Sequence, residues 1–260
     1  MTHTSSRVRY SVRLAAIVAA ALFVVPPRWA FADASKPRTF PSATDASDAL
    51  FQAARNGDRK AIEAILGDKD NLASCGDESR DRRERERFVE KYQEMHRLVR
   101  ELDGSTVLYV GAENWPFPIP LVSSRGRWHF DAETGRREIT FRRIGADEAT
   151  AIEVCRAAIE AAKHGETPAN GSDPVVSFAA RLATGAAADD QTFHGYRFVI
   201  VKDGGTTTVV AYPVEYRSSG VMTFVAGDDG IVYERDLGRD TARAAGTLKA
   251  RPRSGWRAAA

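Results

Sequence analysis

Apolar positions along this chain change period several times, and each change marks a different kind of element. Leu14 to Val25 is an unbroken apolar run of 12 residues, preceded by Arg7, Arg9 and Arg13 and followed by Ala30-Phe31-Ala32 and Asp33. A basic stretch, an apolar stretch and a small-x-small site, in that order, predict a secretory signal peptide over residues 1–32. The run is shorter than the roughly 20 residues a spanning helix needs, although flanking residues leave an uncleaved anchor as the alternative. Lipoprotein anchoring is not expected, since no cysteine lies near the cleavage site, and Arg7 and Arg9 are not adjacent, as a twin-arginine signal requires.

Residues 33–44 carry Pro37 and Pro41 and read as a linker. Asp45 or Ser47 caps a helix with Leu50, Ala53 and Ala54 on its apolar face, ended by Asn56-Gly57-Asp58. Arg59 to Leu66 repeats the pattern with Ile62, Ile65 and Leu66, giving a helical hairpin. Phe88, Tyr92, Met95, Val99 and Leu102 then recur at helical steps, which predicts a helix from Asp77 to Glu101. Arg82, Arg83, Arg85 and Arg87 on its other side alternate with Glu84, Glu86 and Glu90, the pattern of a solvated, charge-compensated face.

After Asp103-Gly104 the period shortens to that of strands. Thr106 to Val110 predicts a largely buried strand. Trp115-Pro116-Phe117-Pro118-Ile119-Pro120-Leu121-Val122 is stiffened by its prolines and suits a sheet edge or wall. Ser124-Arg125-Gly126 predicts a turn into a strand over 127–131, so that the two runs form a hairpin. Thr134 to Arg143 fits helix better than strand. Gly145 is expected to break the chain before a helix capped by Asp147, with Ile152, Cys155, Ile159 and Ala162 as its buried stripe. Residues 166–191 are rich in Ala, Gly, Asp and Pro and form the clearest candidate boundary, with a short helix at Phe178 and Leu182. Strands at 196–201, 207–212, 221–225 and 231–235, separated by glycine turns, then read as an antiparallel meander.

The expected class is α+β: N-terminal helices with a small antiparallel sheet, then a helix packed on a C-terminal meander. The domain reading is 45–145, then 146–238, with a weakly structured tail at 239–260 in which Trp256 docks.

Charge alters the functional picture only once the leader is removed. Of 37 basic and 35 acidic residues, the leader takes four arginines and no acid; the remainder is 33 against 35, a net charge of −2. The basic excess therefore belongs to the leader, and the electrostatic footprint of nucleic-acid binding is absent. His96, His129, His164 and His194 show no metal-ligand spacing, and Cys75 and Cys155 are no zinc pattern. No metal or cofactor is expected, and no catalytic residue is assigned. An oxidising compartment permits a Cys75–Cys155 disulfide, but Cys155 reads equally as a buried apolar residue on a helix face. The binding candidates are Glu94 and His96 at a helix end and Trp115 and Trp128 on the hairpin. Against them stands the reading that His96 is exposed and both tryptophans fill core.

Several phrases together resemble a known family. They are Asn56-Gly57-Asp58, Trp115-Pro116-Phe117-Pro118-Ile119-Pro120-Leu121, Trp128-His129-Phe130-Asp131, Arg142-Arg143-Ile144-Gly145 with Glu148, Phe193-His194-Gly195-Tyr196 and Ser219-Gly220-Val221-Met222-Thr223-Phe224. The chain is similar over about 40–238 to the bacterial exported family called domain of unknown function 2950. Members of that family usually carry a longer middle segment than residues 165–192 here. The resemblance supplies no catalytic residues. Two structural analogies are weaker: the first half is similar to cone-shaped nuclear-transport-factor-two-like domains, the second to pilin-like heads.

These readings lead to the expectation of a periplasmic or secreted, non-enzymatic protein that binds an envelope partner or serves a structural role, outside the membrane once the leader is cleaved. The alternative is a small-molecule binding domain or enzyme with a pocket in the first half. The first expects a filled interior there and an apolar patch or open edge on the second half. The second expects a cavity faced by a buried acid or histidine.

Overall fold

The computed structural model describes residues 37–67, 77–164, 173–185, 191–248 and 254–259. The leader lies outside them, and so does Cys75. Helix α1 (Ala43–Arg55) starts where the Ser42 hydroxyl accepts the Asp45 N–H. Helix α2 (Arg59–Leu66) is capped by Asp58 and stopped by Gly67 in the left-handed region. Asn56-Gly57-Asp58 is therefore a helix-to-helix turn, as the sequence suggests. The stretch read as a linker contributes to the fold from Phe40 onward. That ring is buried, and its backbone exchanges hydrogen bonds with Trp128.

Helix α3 (Glu78–Glu94) is shorter than its apolar stripe implies. Met95 turns extended, and β1 (His96–Arg100) pairs antiparallel with β2 (Thr106–Val110). Val99 and Leu102 prolong the helical spacing by coincidence. Val99 is a strand residue opposite Val107, and Leu102 stands fully exposed at the hairpin tip. A strand pairing across a tight turn overrides a marginal local helix preference. Strand β3 (Trp115–Pro116) also pairs with β2, while β4 (Leu121–Ser124) and β5 (Arg127–Phe130) form the expected hairpin. The first sheet runs β1-β2-β4-β5, with β3 attached to β2.

Helix α4 (Ala132–His164) is one continuous helix of 33 residues. The expected break at Gly145 does not occur: the glycine is an exposed interior position, and its cost of about 1 kcal/mol relative to alanine is small beside the burial of Ile144, Ala151, Val154 and Cys155 on either side. Asp131 caps the start through Thr134. Helix α5 (Pro174–Thr184) is the short helix expected around Phe178 and Leu182. It packs into the same core as α4.

Strands β6 (Thr192–Phe193), β7 (Tyr196–Asp203), β8 (Thr206–Pro213), β9 (Met222–Ala226) and β10 (Val232–Asp236) form the antiparallel meander. Helix α6 (Thr241–Ala245) and strand β11 (Arg257–Ala258) follow, and β11 adds to the outer edge of β10. The class is thus α+β in the expected arrangement.

Two cores result. In the first, Leu50, Ile62, Ile65 and Leu66 of α1 and α2 pack on Ile119, Leu121 and Phe130. In the second, Val154, Cys155, Ala158 and Ile159 of α4 and Phe178 of α5 cover Tyr196, Phe198, Val209 and Phe224. The opposite face of the meander, Val210 and Val225, is covered by Ala245, Leu248 and Trp256. Trp256 docks as expected, but the region read as a tail also supplies a helix and a strand.

Candidate functional site

The middle turns of α4 gather polar contacts from both sheets. Arg142 is held by Glu138 one turn earlier (2.8 Å), donates to the Pro116 carbonyl (2.8 Å) and lies over the Trp115 ring at 5.2 Å. Arg143, turned about 100° around the helix, donates to the Ser218 carbonyl beside the second sheet (3.0 Å). Adjacent arginines therefore fasten one helix to two different sheets.

One turn further, Glu148 Oε1 accepts the N–H groups of Val221 and Met222, each at 2.9 Å, and lies 3.4 Å from the Tyr196 hydroxyl. That hydroxyl also donates to the Met222 carbonyl (3.0 Å). Burial of the Tyr196 ring, reinforced by the Glu148 charge, drives its ionisation far above the ordinary tyrosine range, so the phenol acts only as a neutral donor. Gly220 lies against the hydroxyl end of this ring, so close that a Cβ there would meet the hydroxyl oxygen first and sit 2.5 Å from Cζ and 2.6 Å from Cε2.

Asp147 faces His194 (Nδ1 to Oδ1, 3.7 Å). Burial raises the Asp147 carboxyl above its usual value, and the charges of His194 and Arg143 only partly counter it. His194 and Gly195 both have positive φ (45° and 71°) and form the two-residue turn between β6 and β7, the geometry of a primed hairpin turn. Gly195 is needed twice over, because a Cβ there would also meet the Ser219 Cβ at 2.7 Å.

The phrases Trp115-Pro116, Arg142-Arg143 with Glu148, Phe193-His194-Gly195-Tyr196 and Ser219-Gly220-Val221-Met222 thus converge on α4 residues 142–148. Chemically the cluster is a set of satisfied ties. The Glu148 carboxylate is engaged by strand N–H groups, and the half-exposed His194 imidazole faces a single carboxylate.

The four binding candidates are not gathered into one pocket. Glu94 is exposed and pairs with Lys91 (3.1 Å), which also holds Glu113 (2.9 Å). His96 is exposed; its ring stacks on Tyr92 at 3.9 Å, and Nδ1 lies 2.9 Å from the Tyr92 carbonyl, which can only accept. Tyr92 itself is buried and bonded to Ser47 and Asp48, and burial pushes its hydroxyl up to about 12. Trp115 stands opposite Val110, which stands opposite His96, so the register sets these two in one row; Trp115 is 57% exposed rather than core. Trp128 lies on β5, half-buried beside Phe40 and the α1–α2 core. Cys155 is a buried free thiol whose ionisation burial drives far upward.

In the sequence, Glu148, His194, Tyr196 and Gly220 stand out only within the phrases of resemblance, whereas Asp147 reads as a helix cap and Trp115 as a binding candidate. The available signal was residue type: two glycines, a tyrosine and adjacent acids, spread over widely separated segments. Among the described residues, no group of three or more His, Cys, Asp or Glu side chains is placed to hold a metal ion, and no helix is long and apolar enough to cross a membrane.

A family profile described as "Protein of unknown function (DUF2950)" matches residues 37–190 and 204–259. The chain belongs to this DUF2950 family. The matched segments include Trp115-Pro116, Arg142-Arg143, Glu148 and Ser219-Gly220-Val221-Met222, while Phe193-His194-Gly195-Tyr196 falls in the interval between them. No curated protein and no solved structure matches the chain.

Proposed function

We propose that this DUF2950 protein is exported, periplasmic or secreted, and acts by binding a protein of the cell envelope rather than by catalysis. The observation that carries this reading is the apolar packing inside the first half. Phe88, Phe117 and Phe130 form a chain of ring contacts between α3 and the first sheet, and Leu50, Ile65 and Leu121 close the space beside them. A small-molecule site needs an open volume of some 300 Å³ or more there, faced by an acid or histidine. Instead Glu94 and His96 point to solvent. The second half supports the same reading. A helix on an antiparallel meander, similar to pilin-like heads, ends in two short edge strands, β6 and β11, at which a partner strand can add.

The test is expression of a C-terminally tagged chain, cell fractionation, and crosslinking with mass spectrometry. The expected result is a mature chain beginning at Asp33, outside the cytoplasm, crosslinked to one envelope protein. A cytosolic chain beginning at Met1 contradicts export. A large, saturable thermal shift with a small envelope metabolite contradicts binding through a protein surface alone.

A further inference from the structure

Among the described residues, the large apolar side chains left exposed include two aromatic ones, and both belong to the middle of α4. Phe141 is 67% exposed; Trp115 is 57% exposed and lies beneath the guanidinium of Arg142, the next residue on the helix. Single exposed apolar residues are ordinary on a protein surface, whereas two aromatics flanking one stretch of helix concentrate apolar area. An exposed line continues from them along α4. Glu133, Arg137, Phe141, Gly145, Ala149 and Glu153 recur every four residues, and each is exposed. Steps of four turn a helix by about 40°, so these residues form one i±4 ridge that winds slowly around it. The winding follows the fold. An early turn of α4 buries Gly135 against Ile119, later turns bury Ala151, Val154 and Cys155 in the meander core, and the ridge passes between these contacts. At its centre, nothing lies within 4 Å of a Cβ placed on Gly145.

We infer that this ridge is a self-association surface, on which α4 of a second copy packs antiparallel across a two-fold axis centred on Gly145. The ridge is its own complement about that point. Four positions to either side, Phe141 meets Ala149 of the second copy; eight positions to either side, Arg137 meets Glu153 of the second copy. Each contact occurs twice, as an isologous two-fold interface requires. Laying one i±4 ridge along another sets two helices at about −50°, the commonest crossing in globular proteins. Gly145 lets the two backbones approach at the crossing, and Ala149 leaves room for the Phe141 ring. Arg137 already donates to Glu133 Oε1 (2.7 Å) and Thr134 Oγ1 (2.8 Å), but a guanidinium carries five N–H groups and can take a further carboxylate. A parallel pairing has no such match, because it sets Phe141 against Phe141 and Arg137 against Arg137. A second copy is the partner whose matching order of charge and size is already present in this chain. One helix pair buries less than the roughly 1,200 Å² of a stable interface. The dimer is therefore weak, with a Kd on the order of 10–100 μM, and the monomer prevails in dilute samples. This goes beyond the envelope-binding reading and does not depend on it.

The experiment is sedimentation velocity on the chain as purified from expressing cells, over concentrations spanning that range. The expected result is a monomer–dimer equilibrium, weakened at least about tenfold by Phe141→Ala and by Gly145→Leu. Arg137→Glu and Glu153→Arg should each weaken it at least about threefold, since each sets like charges opposite one another twice. An equimolar mixture of these two variants should pair as tightly as the wild type. All four positions are exposed, and circular dichroism of dilute samples checks the fold of each variant. Should Phe141→Ala or Gly145→Leu fail to fold, the two charge variants and their mixture decide the matter. A dimer indifferent to Phe141 and Gly145, or one that the mixture does not restore, overturns the ridge pairing. A wild-type chain that stays monomeric throughout overturns it as well, and crosslinks from residues 137–153 of that monomer to an envelope protein put a foreign partner in place of the second copy. Dimerisation without any crosslinked envelope protein refutes the envelope reading and leaves the ridge pairing. A crosslinked partner on a strictly monomeric chain does the reverse.

Discussion

Gly220→Ala isolates the contact on which the α4 cluster is built. Gly220 has no left-handed backbone requirement, so the added methyl acts through space alone. Its position, 2.5 Å from Cζ and 2.6 Å from Cε2 of Tyr196, forces either the ring or the strand to move. The ring has little room, being fully buried against Phe224 with its hydroxyl bonded to the Met222 carbonyl. Overpacking of this kind costs about 1–3 kcal/mol, and losing the hydroxyl's bond adds about 1 kcal/mol. The expected loss is therefore about 2–4 kcal/mol, a fall in Tm of roughly 5–15 °C for a chain of this size. Urea and thermal denaturation, followed by circular dichroism, measure it. Adding Tyr196→Phe removes the tightest contact, that with the hydroxyl oxygen, but should restore only part of the loss, because Cζ and Cε2 remain. A Gly220→Ala chain as stable as the wild type would refute the packing argument.

Gly145→Ala should act in the opposite sense. Nothing lies within 4 Å of the added methyl in the middle of α4, so a gain of about 0.5–1 kcal/mol is expected, and a loss in the same denaturation assay would contradict an unbroken helix. Burial alone would raise the Asp131 carboxyl, but the Thr134 N–H and hydroxyl, the Glu133 N–H and the Arg137 charge outweigh it and the net shift is downward. Its contribution to stability is therefore present above the ordinary carboxylate range and is lost as pH falls through the depressed folded value; Asp131→Asn should flatten this part of the acid-stability curve, and an unchanged slope would count against the cap. In a Cys75→Ser chain, the buried Cys155 thiol should resist a thiol reagent at neutral pH and react only in denaturant; rapid native labelling would contradict its burial.

Legibility in the sequence followed the range of the interactions. The α1–α2 hairpin was readable because its stops are local: Asn56-Gly57-Asp58 both ends one helix and caps the next. The β7–β8 and β9–β10 hairpins were readable from their glycine turns. The end of α3 was not, since Val99 and Leu102 fall at helical spacing while the competing partner of β1 is a strand beyond the following turn. Gly145 misled for the complementary reason. Local propensity favours a break, but packing of the helix on both sides supplies more than the glycine costs. Among the binding candidates, the sequence could place Glu94 and His96 at a helix end, and it could weigh exposure of His96 against a pocket. It could not see that Trp115 would be fixed, exposed, beneath Arg142 of a helix 27 residues on. The cluster of Glu148, Tyr196 and Gly220 depends on contacts between residues tens of positions apart, and no periodicity carries that information.

The most direct test of the account is amide hydrogen exchange at Val221 and Met222, whose N–H groups donate to Glu148. Both should exchange slowly in the wild-type chain and rapidly in Glu148→Ala, while residues 106–110 of the first sheet stay protected in both. Rapid exchange in the wild type, or protection unchanged by the substitution, would contradict the claim that Glu148 ties the meander to the middle of α4.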